Sequence, residues 1–198
     1  MEERSGRPVK ALRADAARNR ERLLGAAKSV FSAGGPEASL EAVARRAGVG
    51  IGTLYRHFPT RQALFEAVYR REVQHLVDLA EELKGEADPI EALRRWMHSS
   101  VEFVATKKGM VASLALVAYG CSELSAFTFE NLTRAVGQLL DRAVTAGRIR
   151  DDVDAADLLR ALIGVCYMHD QPGWQESAVR LMDVFADGLC LPQRETVC

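Results

Sequence analysis

Four side chains able to hydrogen-bond to a nucleic acid fall within a short stretch of the chain. They are Thr53, Tyr55, Arg56 and His57. The apolar residues Leu54 and Phe58 lie four positions apart, so a helix would turn both toward a core and leave the polar residues outside. Arginine, threonine, tyrosine and histidine are side chains that contact phosphate oxygens and base edges. The stretch therefore offers binding chemistry rather than catalysis.

Signals on both sides of these residues predict two short helices joined by a tight turn over residues 39–58. Ser39 is a good N-cap, because its hydroxyl accepts a hydrogen bond from a free amide of the first turn. Gly48 suits the left-handed backbone with which helices often end. Pro59 disfavours helical geometry in the preceding residue, so the second helix is expected to end at Phe58. Such a helix-turn-helix presents its second helix to the DNA major groove.

The segment AGVGIGTLYRHF, followed by PTRQALFEAV, resembles the DNA-binding domain of the TetR family of transcriptional regulators. The resemblance covers roughly residues 16–74. It implies an all-α fold, in which an N-terminal three-helix helix-turn-helix domain binds DNA and a C-terminal helical bundle binds a ligand and dimerises. Gly50 departs from the pattern, because many members have serine there, and this removes a side-chain cap or a phosphate contact.

The resemblance also implies roles for individual residues of the head. Phosphate contacts are expected from Arg18, Arg20, Tyr55 and Arg61, and base contacts from Thr53, Arg56, Gly52 and His57. Ser39 and Gly50, at the starts of the two short helices, complete the expected DNA-binding set. For Arg18 and Arg20, a solvated basic face of the first helix is an equally good interpretation.

Charge divides the chain in the same way. Residues 1–75 carry 14 Lys or Arg against 8 Asp or Glu, and residues 76–198 carry 12 against 19. A basic front and an acidic back fit a DNA-binding head on a body that phosphate repels. We expect a flexible basic arm over 1–14, a DNA-binding domain over 15–75, a ligand-binding and dimerisation domain over 76–191 and a tail over 192–198.

Apolar periodicity and capping residues predict helices along the rest of the chain. Asp15 is expected to cap the first helix, and Thr60 to cap a long fourth helix that reaches about Leu83. Later helices are predicted from Pro89 to Thr106, from after Gly109 to Tyr119, from Ser122 or Glu123 to Ala146, from Asp154 to Met168 and from Trp174 to Leu189. No strand alternation or internal repeat is visible.

The segments ATKKGM and AGRIRDDVDAADLL resemble the C-terminal half of SbtR-like TetR regulators. In the family the last two helices form the dimer interface, so the resemblance implies a homodimer held by residues 155–168 and 174–189. The apolar residues expected in this interface are Leu158, Leu162, Val165, Leu181, Met182 and Phe185. The alternative is that they pack the core of a monomer.

A pocket for a small apolar or amphipathic effector is expected in the body. Its candidate lining residues are Trp96, Met97, Phe103, Met110, Leu114, Tyr119, Phe127, Cys166, Tyr167, His169 and Trp174. His98, His169 and Asp170 are candidate polar contacts. For each single residue, ordinary core packing is the stronger interpretation. Cys166 and His169 lie one helical turn apart, but two ligands are too few for a metal site, so no metal or cofactor is predicted.

Several function classes are disfavoured by what the sequence lacks. It has no phosphate-binding glycine loop, serine elbow or paired-histidine zinc motif, so an enzyme is not predicted. Without a long apolar run or a signal-peptide pattern, we expect a cytoplasmic protein that is not in a membrane. We predict a repressor that binds a palindromic operator in double-stranded DNA as a homodimer and responds to a small molecule. The alternatives are a helical interaction protein whose head does not read DNA, and a small helical enzyme.

Overall fold

The computed structural model describes residues 9–33, 38–113, 122–168 and 172–192 of the chain. Within these residues the backbone forms helices and no strand, apart from one isolated bridge between Ile149 and Cys190. The helices are α1 (Val9–Ala33), α2 (Leu40–Arg46), α3 (Ile51–His57), α4 (Arg61–Leu83), α5 (Pro89–Ser113), α6 (Ser122–Thr145), α7 (Ala155–Tyr167) and α8 (Trp174–Leu189). The predicted all-α fold is confirmed.

The described residues form two compact units. The first, here called the head unit, contains the chain up to Arg71 together with the end of α5 from Thr106. The second, called the body unit, contains Glu72–Ala105 and the described residues from α6 onward. The helices α4 and α5 thus contribute residues to both units. The end of α5 packs within the head unit, whereas the sequence interpretation assigned it to the body.

The helix-turn-helix of the head unit forms as its capping residues predict. Ser39 has an extended backbone, and its hydroxyl oxygen accepts a hydrogen bond of 3.1 Å from the amide of Ala42. Gly48 closes the turn after α2 with a φ of +65°. Gly50 precedes α3 without supplying a side-chain cap. Because α2 and α3 have only seven residues each, they depend on buried side chains such as Leu54 to hold them.

The start of α1 differs from the prediction. The helix begins at Val9 rather than after Asp15, so part of the predicted flexible arm is helical. The residues from 9 to 14 include alanine, leucine, lysine and arginine, which are strong helix formers, and no glycine or proline interrupts them. Asp15 is therefore an internal helical residue, and its carboxylate pairs with the guanidinium of Arg18. Residues 1–8 of the predicted arm lie outside the described residues.

The sequence also predicts a break at Gly109, but α5 runs through this position without interruption. A Cβ atom at Gly109 would lie 1.8 Å from the carbonyl oxygen of Phe31 in α1, so glycine here permits two helices to approach closely. Near this point the hydroxyl oxygens of Ser32 in α1 and Thr106 in α5 lie 2.6 Å apart and share a hydrogen bond. The remainder of the predicted helix, over residues 114–119, lies outside the described residues.

The body unit is built around buried apolar residues of α5. Trp96 is fully buried, and its indole nitrogen donates a hydrogen bond of 2.9 Å to the carbonyl oxygen of Leu76 in α4. Arg142 of α6 donates hydrogen bonds to the carbonyl oxygens of Leu83 and Glu86. A cation interacts favourably with the carbonyl oxygens at and just after the C-terminal end of a helix. α4 is thereby fixed at its C-terminal end.

The final helices have nearly the predicted boundaries. Gly147 follows α6 with a φ of +65°, and α8 spans Trp174–Leu189 as predicted. Asp154 caps α7, because its carboxylate accepts a hydrogen bond of 2.7 Å from the amide of Asp157. Across the parts of the chain that are described, none of the helices has the length and apolar character needed to cross a membrane.

Candidate nucleic-acid interface

The outer face of α3 carries the polar residues that the sequence predicts for it. Leu54 and Phe58 are 1% and 3% exposed and anchor the helix to the head unit. Among the residues predicted to contact DNA, Gly52, Tyr55 and Arg56 are exposed. Thr53 and His57 are half-buried. A short helix held from beneath thus presents hydrogen-bonding side chains outward.

Arg56 folds back along α3 and meets another predicted base-reading residue. Its Nη2 donates a hydrogen bond of 2.9 Å to the hydroxyl of Thr53, and its Nε donates one of 3.3 Å to the carbonyl oxygen of Gly52. A guanidinium has five donor hydrogens, so others stay available for a further acceptor. At Gly52 itself, no heavy atom lies within 4 Å of the position that a Cβ would occupy. Contacts within the head unit therefore do not require glycine there.

An open cleft of about 640 Å³ lies beside the outer face of α3, and we call it the α1–α3 cleft. It is lined by Asp15, Ala16, Arg18, Asn19 and Arg22 from α1 and by Thr53, Arg56 and His57 from α3. Helical spacing brings the α1 residues onto one face of that helix. The cleft thus brings Arg18, a predicted phosphate contact, together with three side chains predicted to read bases.

Arg20 does not line the α1–α3 cleft, although the sequence groups it with Arg18. Its guanidinium carbon lies 5.4 Å from the centroid of the Phe58 ring, a distance that allows a cation–π contact. One of its nitrogens also lies 3.8 Å from the carboxylate of Glu21. Arg20 therefore packs on the end of α3 and supports that helix. Its predicted contact with phosphate stays a prediction.

Arg22 is a cleft residue that the sequence interpretation omits. Its Nη2 lies 2.6 Å from the position that a Cβ at Gly48 would occupy, so the guanidinium rests against the turn of the helix-turn-helix. Its Nη1 lies 3.5 Å from the amide oxygen of Asn19. Arg22 follows Arg18 by four positions, which places both on one helical face. That spacing groups Arg22 with Arg18 in the sequence, but it does not show that their shared face meets α3.

The other predicted DNA contacts lie at the starts of helices in the head unit. Arg61 is the exposed first residue of α4, and the preceding Thr60 caps that helix by accepting a hydrogen bond of 3.0 Å from the amide of Ala63. The hydroxyl oxygen of Ser39 is engaged in capping α2. Gly50 has open space around its Cβ position. DNA contact by Ser39, Gly50 and Arg61 stays a prediction.

The predicted effector-pocket residues do not form one described group. Buried within the body unit are Trp96, Met97, Phe103 and Cys166. Met110 belongs to the head unit, Trp174 is half-buried, and Tyr167 is exposed. Outside the described residues lie Leu114, Tyr119, His169, Asp170 and the side chain of Phe127. His98 is engaged elsewhere, because its Nε2 lies 2.7 Å from the carboxylate of Asp183 in α8.

Metal binding has no support in the described residues. Among them, no group of three or more His, Cys, Asp and Glu side chains is arranged to hold a metal ion. Cys166 is buried and Cys190 is exposed, and neither forms a disulfide bond within the described residues.

The predicted dimer contacts require a correction. Leu158, Leu162 and Met182 are 0%, 2% and 1% exposed, so they form the core of the body unit and have no surface to offer a partner. Val165 and Phe185 are half-buried. The sequence shows that these positions are apolar, but it does not reveal which face of each helix turns inward. The three buried residues therefore pack within one protomer, and dimer contact by Val165, Leu181 and Phe185 stays a prediction.

A different set of apolar residues lies outward on the last two helices. We call this set the outer α7–α8 face, and it consists of Ile163, Tyr167, Met168, Leu181 and Val184. These side chains are 43% to 70% exposed. Only Leu181 belongs to the interface predicted from sequence. The exposure of these apolar side chains makes the outer α7–α8 face a candidate interaction surface.

Comparison with known families matches both parts of the chain. Residues 23–68 match the family described as bacterial regulatory proteins, tetR family. Residues 88–191 match the family described as transcriptional regulator SbtR-like, C-terminal domain. The first match contains the helix-turn-helix and the second contains α5 to α8, so together they cover most of the described structure.

Individual proteins agree with these matches. A TetR transcriptional regulator from Streptomyces coelicolor is 40% identical, with a TM-score of 0.75, over 88% of this chain and 99% of that one. A TetR regulator from Mycobacterium vanbaalenii is 38% identical, with a TM-score of 0.70, over 91% and 99%. The Escherichia coli regulator UidR is 27% identical over 79% of this chain and 82% of its own length. The chain therefore belongs to the TetR family of transcriptional regulators, which are DNA-binding proteins rather than enzymes, and its C-terminal domain is of the SbtR-like kind.

Proposed function

We propose that this regulator is a repressor that binds a palindromic operator as a homodimer and leaves the DNA when an effector binds its body unit. The main support for DNA reading is the set of polar side chains exposed on the outer face of α3. Tyr55 and Arg56 are exposed there on a helix that the buried Leu54 anchors. The transcriptional repressor KstR of Mycolicibacterium smegmatis is 43% identical over 58 residues, and this similarity supports repression as the outcome.

Base reading and phosphate binding divide among different side chains in this proposal. The major groove admits an α-helix, and a guanidinium there pairs with the two acceptors of guanine, so Arg56 is assigned to base reading with Thr53 beside it. Gly52 leaves space for a base edge or backbone close to the helix. Arg18, Tyr55 and Arg61 are assigned to phosphates, which hold the register without reading sequence.

The charge of the head unit argues against a head that serves only for packing. Such an interaction protein would need a neutral or acidic surface around α3. The α1–α3 cleft instead contains the guanidinium groups of Arg18, Arg22 and Arg56 against the single carboxylate of Asp15. A cleft with this balance of charge favours an anionic partner, and DNA is the anion that fits an exposed helix beside it.

Dimerisation in this proposal uses the outer α7–α8 face. Its apolar side chains are exposed in the protomer, and a twin subunit would bury them by two-fold symmetry. Gly164 and Gly188 have no heavy atom within 4 Å of their Cβ positions, so small residues leave room for a partner helix. A two-fold protein then faces a palindromic operator with its recognition helices roughly 34–36 Å apart.

An effector would act through the interior of the body unit. The hydroxyl of Thr128 is buried on α6, and no hydrogen-bond partner for it is found within the described residues. Buried polar groups are nearly always paired, so this hydroxyl is a candidate contact for a ligand atom. The buried residues of the body unit are mostly apolar, which favours an apolar or amphipathic molecule. Such a ligand would select a body conformation that does not fit DNA.

The test is a mobility shift with the purified chain and the DNA that flanks its own gene, titrated with salt. We expect a discrete, salt-sensitive complex on a palindrome. Arg56→Ala should relax the preference at a few base pairs, by about 1–3 kcal/mol at the contacted position. Arg61→Ala should weaken binding to every sequence and reduce the salt slope by about 1.

Arg134→Ala provides the control, because this exposed arginine of α6 lies in the body unit and pairs with Glu130. Its removal changes the net charge as the other two variants do, but it should leave DNA binding unchanged. Weak binding that is equal on every duplex, including this flanking DNA, and unaffected by Arg56→Ala would argue against a DNA-reading role for α3.

A further inference from the structure

The α1–α3 cleft has a feature that DNA binding does not require, which is a carboxylate among its cations. Asp15 and Arg18 both line the cleft, and they form an ion pair across one turn of α1. Arg22 and Arg56 have neutral hydrogen-bond acceptors instead, from Asn19 and from α3. One of the three guanidinium groups that line the cleft is thus neutralised by an acid inside it.

We propose that the α1–α3 cleft holds a backbone phosphate of DNA on Arg22 and Arg18, and that Asp15 lowers the affinity of this site. The proposal rests on the proposed DNA-binding function and names two residues that determine its strength. Arg22 faces the cleft from α1 while resting against the turn at Gly48, so its guanidinium is held close to the start of the recognition helix. A strand that borders the major groove around α3 passes beside that helix, where the cleft lies.

Asp15 opposes a phosphate in two ways. Its carboxylate repels the phosphate directly, since like charges in one site disfavour each other. It also occupies Arg18, whose hydrogen bonds must be released before they can be given to the DNA. The ion pair is largely exposed, with the two side chains 45% and 67% accessible, so it contributes little to folding stability. Removing the carboxylate should therefore change DNA binding without unfolding the head unit.

The experiment measures binding of the full chain to a duplex of unrelated sequence by fluorescence anisotropy, over a series of salt concentrations. Asp15→Asn should bind roughly threefold tighter at low salt, an advantage that fades as salt screens the charge. Arg22→Ala should bind roughly tenfold weaker, and its salt slope should fall by about 0.9 for each protomer bound. Arg22→Lys keeps the charge and should recover the slope.

The chain offers a matched control pair of the same chemistry. Glu130 and Arg134 form an exposed ion pair of 2.8 Å on α6 in the body unit. Glu130→Gln and Arg134→Ala repeat the two charge changes away from the cleft, and neither should alter DNA affinity. Thermal unfolding of every variant then separates a phosphate contact from a folding defect.

The outcomes are distinct. If wild type binds with a steep salt dependence but Asp15→Asn binds no tighter than Glu130→Gln, the inhibitory role of Asp15 is wrong. If Arg22→Ala loses affinity together with a lower melting temperature, and Arg22→Lys does not restore the salt slope, Arg22 supports the turn and does not hold phosphate. If wild type itself binds duplex DNA without salt dependence, the proposed function fails, and this inference fails with it.

Discussion

The head unit and the body unit present opposite kinds of surface. In the head unit, the residues assigned to binding are polar or small, and Tyr55, Arg56 and Gly52 lie outward on the seven-residue α3. In the body unit, the outward residues of interest are apolar, with Val184 66% exposed. The first kind of surface suits a hydrated, charged partner, and the second suits a partner that excludes water.

This difference determines what a substitution should do in each unit. In the head unit, a change of one outward side chain should alter DNA binding and leave folding nearly intact. In the body unit, apolar residues only two positions apart on α8 have different roles, because Met182 is 1% exposed whereas Val184 is 66% exposed. The strongest tests of the comparison therefore substitute an inward residue and an outward residue of the same helix and compare the effects.

The largest effect is expected for Val184→Glu on the outer α7–α8 face. A carboxylate buried between two protomers would lack a partner, so the dimer should separate. Loss of two-site binding should then weaken operator binding by about 100-fold or more. Sedimentation gives the mass of the species, and a mobility shift gives the affinity. The free energy of unfolding of the protomer should change little.

Met182→Ala is the matched inward variant of the same helix. It should lower the free energy of unfolding by about 2–5 kcal/mol, because it leaves a cavity in the core of the body unit. Urea unfolding measures this loss. A dimer that survives Val184→Glu would mean that another surface joins the protomers, and the outer α7–α8 face would lose its assigned role.

The second effect concerns Gly109, where α5 meets α1 within the head unit. In Gly109→Ala the new methyl group would meet the carbonyl oxygen of Phe31 at 1.8 Å unless the helices separate. We expect the free energy of unfolding to fall by about 1–3 kcal/mol, as in other overpacked sites. Gly25→Ala, in α1 of the same unit, is the control, because its Cβ would have an ordinary contact of 3.6 Å with Arg71. A neutral Gly109→Ala would contradict the close approach.

The contrast between the units also explains how much the sequence could predict. Several helix ends were predictable from a local signal, as with the Ser39 cap, the Gly48 turn and the Asp154 cap. The cap predicted at Asp15 was wrong, because α1 begins at Val9. The role of Gly109 was not predictable, because it depends on a contact with Phe31, 78 positions earlier in the chain. Likewise, an apolar residue such as Leu158 fits a core or an interface equally well until the packing is known.

The same limit applies to the candidate site. The exposed residues of α3 could be identified from the sequence. The apolar residues at helical spacing must face the core, so the polar residues between them must face outward. Arg22 and Asp15 could not be assigned to the α1–α3 cleft, because their meeting with α3 depends on how two helices cross. Their spacing on α1 gives a shared face, but it does not indicate what that face contacts.

A smaller effect is expected at the start of α5, where Asp88 acts as a cap. Its carboxylate accepts a hydrogen bond of 2.8 Å from the amide of Ile90 and lies 3.4 Å from Arg148. The amide hydrogen bond, aided by Arg148, lowers the pKa of Asp88 below its ordinary value of 3.8. Asp88→Ala should therefore lower the free energy of unfolding by about 1 kcal/mol at neutral pH.

The stabilising effect of Asp88 should depend on pH. Because the pKa is lower in the folded state, the carboxylate stabilises the fold above pH 3.8, and this stabilisation disappears as the pH falls through the folded value. The difference between wild type and Asp88→Ala should shrink in acid, as measured by denaturant unfolding at neutral and acidic pH. A difference that is constant with pH would show that the carboxylate charge has no part in the cap.

The smallest change in stability, and the one with the most informative sign, is expected for Gly52→Ala on the outer face of α3. Alanine favours a helix over glycine by about 0.5–1 kcal/mol, and no heavy atom lies within 4 Å of the new methyl group, so the variant should be more stable. The same methyl group would stand where α3 approaches the DNA, so binding should weaken by about fivefold, or about 1 kcal/mol. Gly25→Ala should raise stability without this loss of binding. A Gly52→Ala variant that is stabilised and also binds DNA as tightly as wild type would mean that the backbone of α3 stays away from the bases, and that the groove is read by the longer side chains alone.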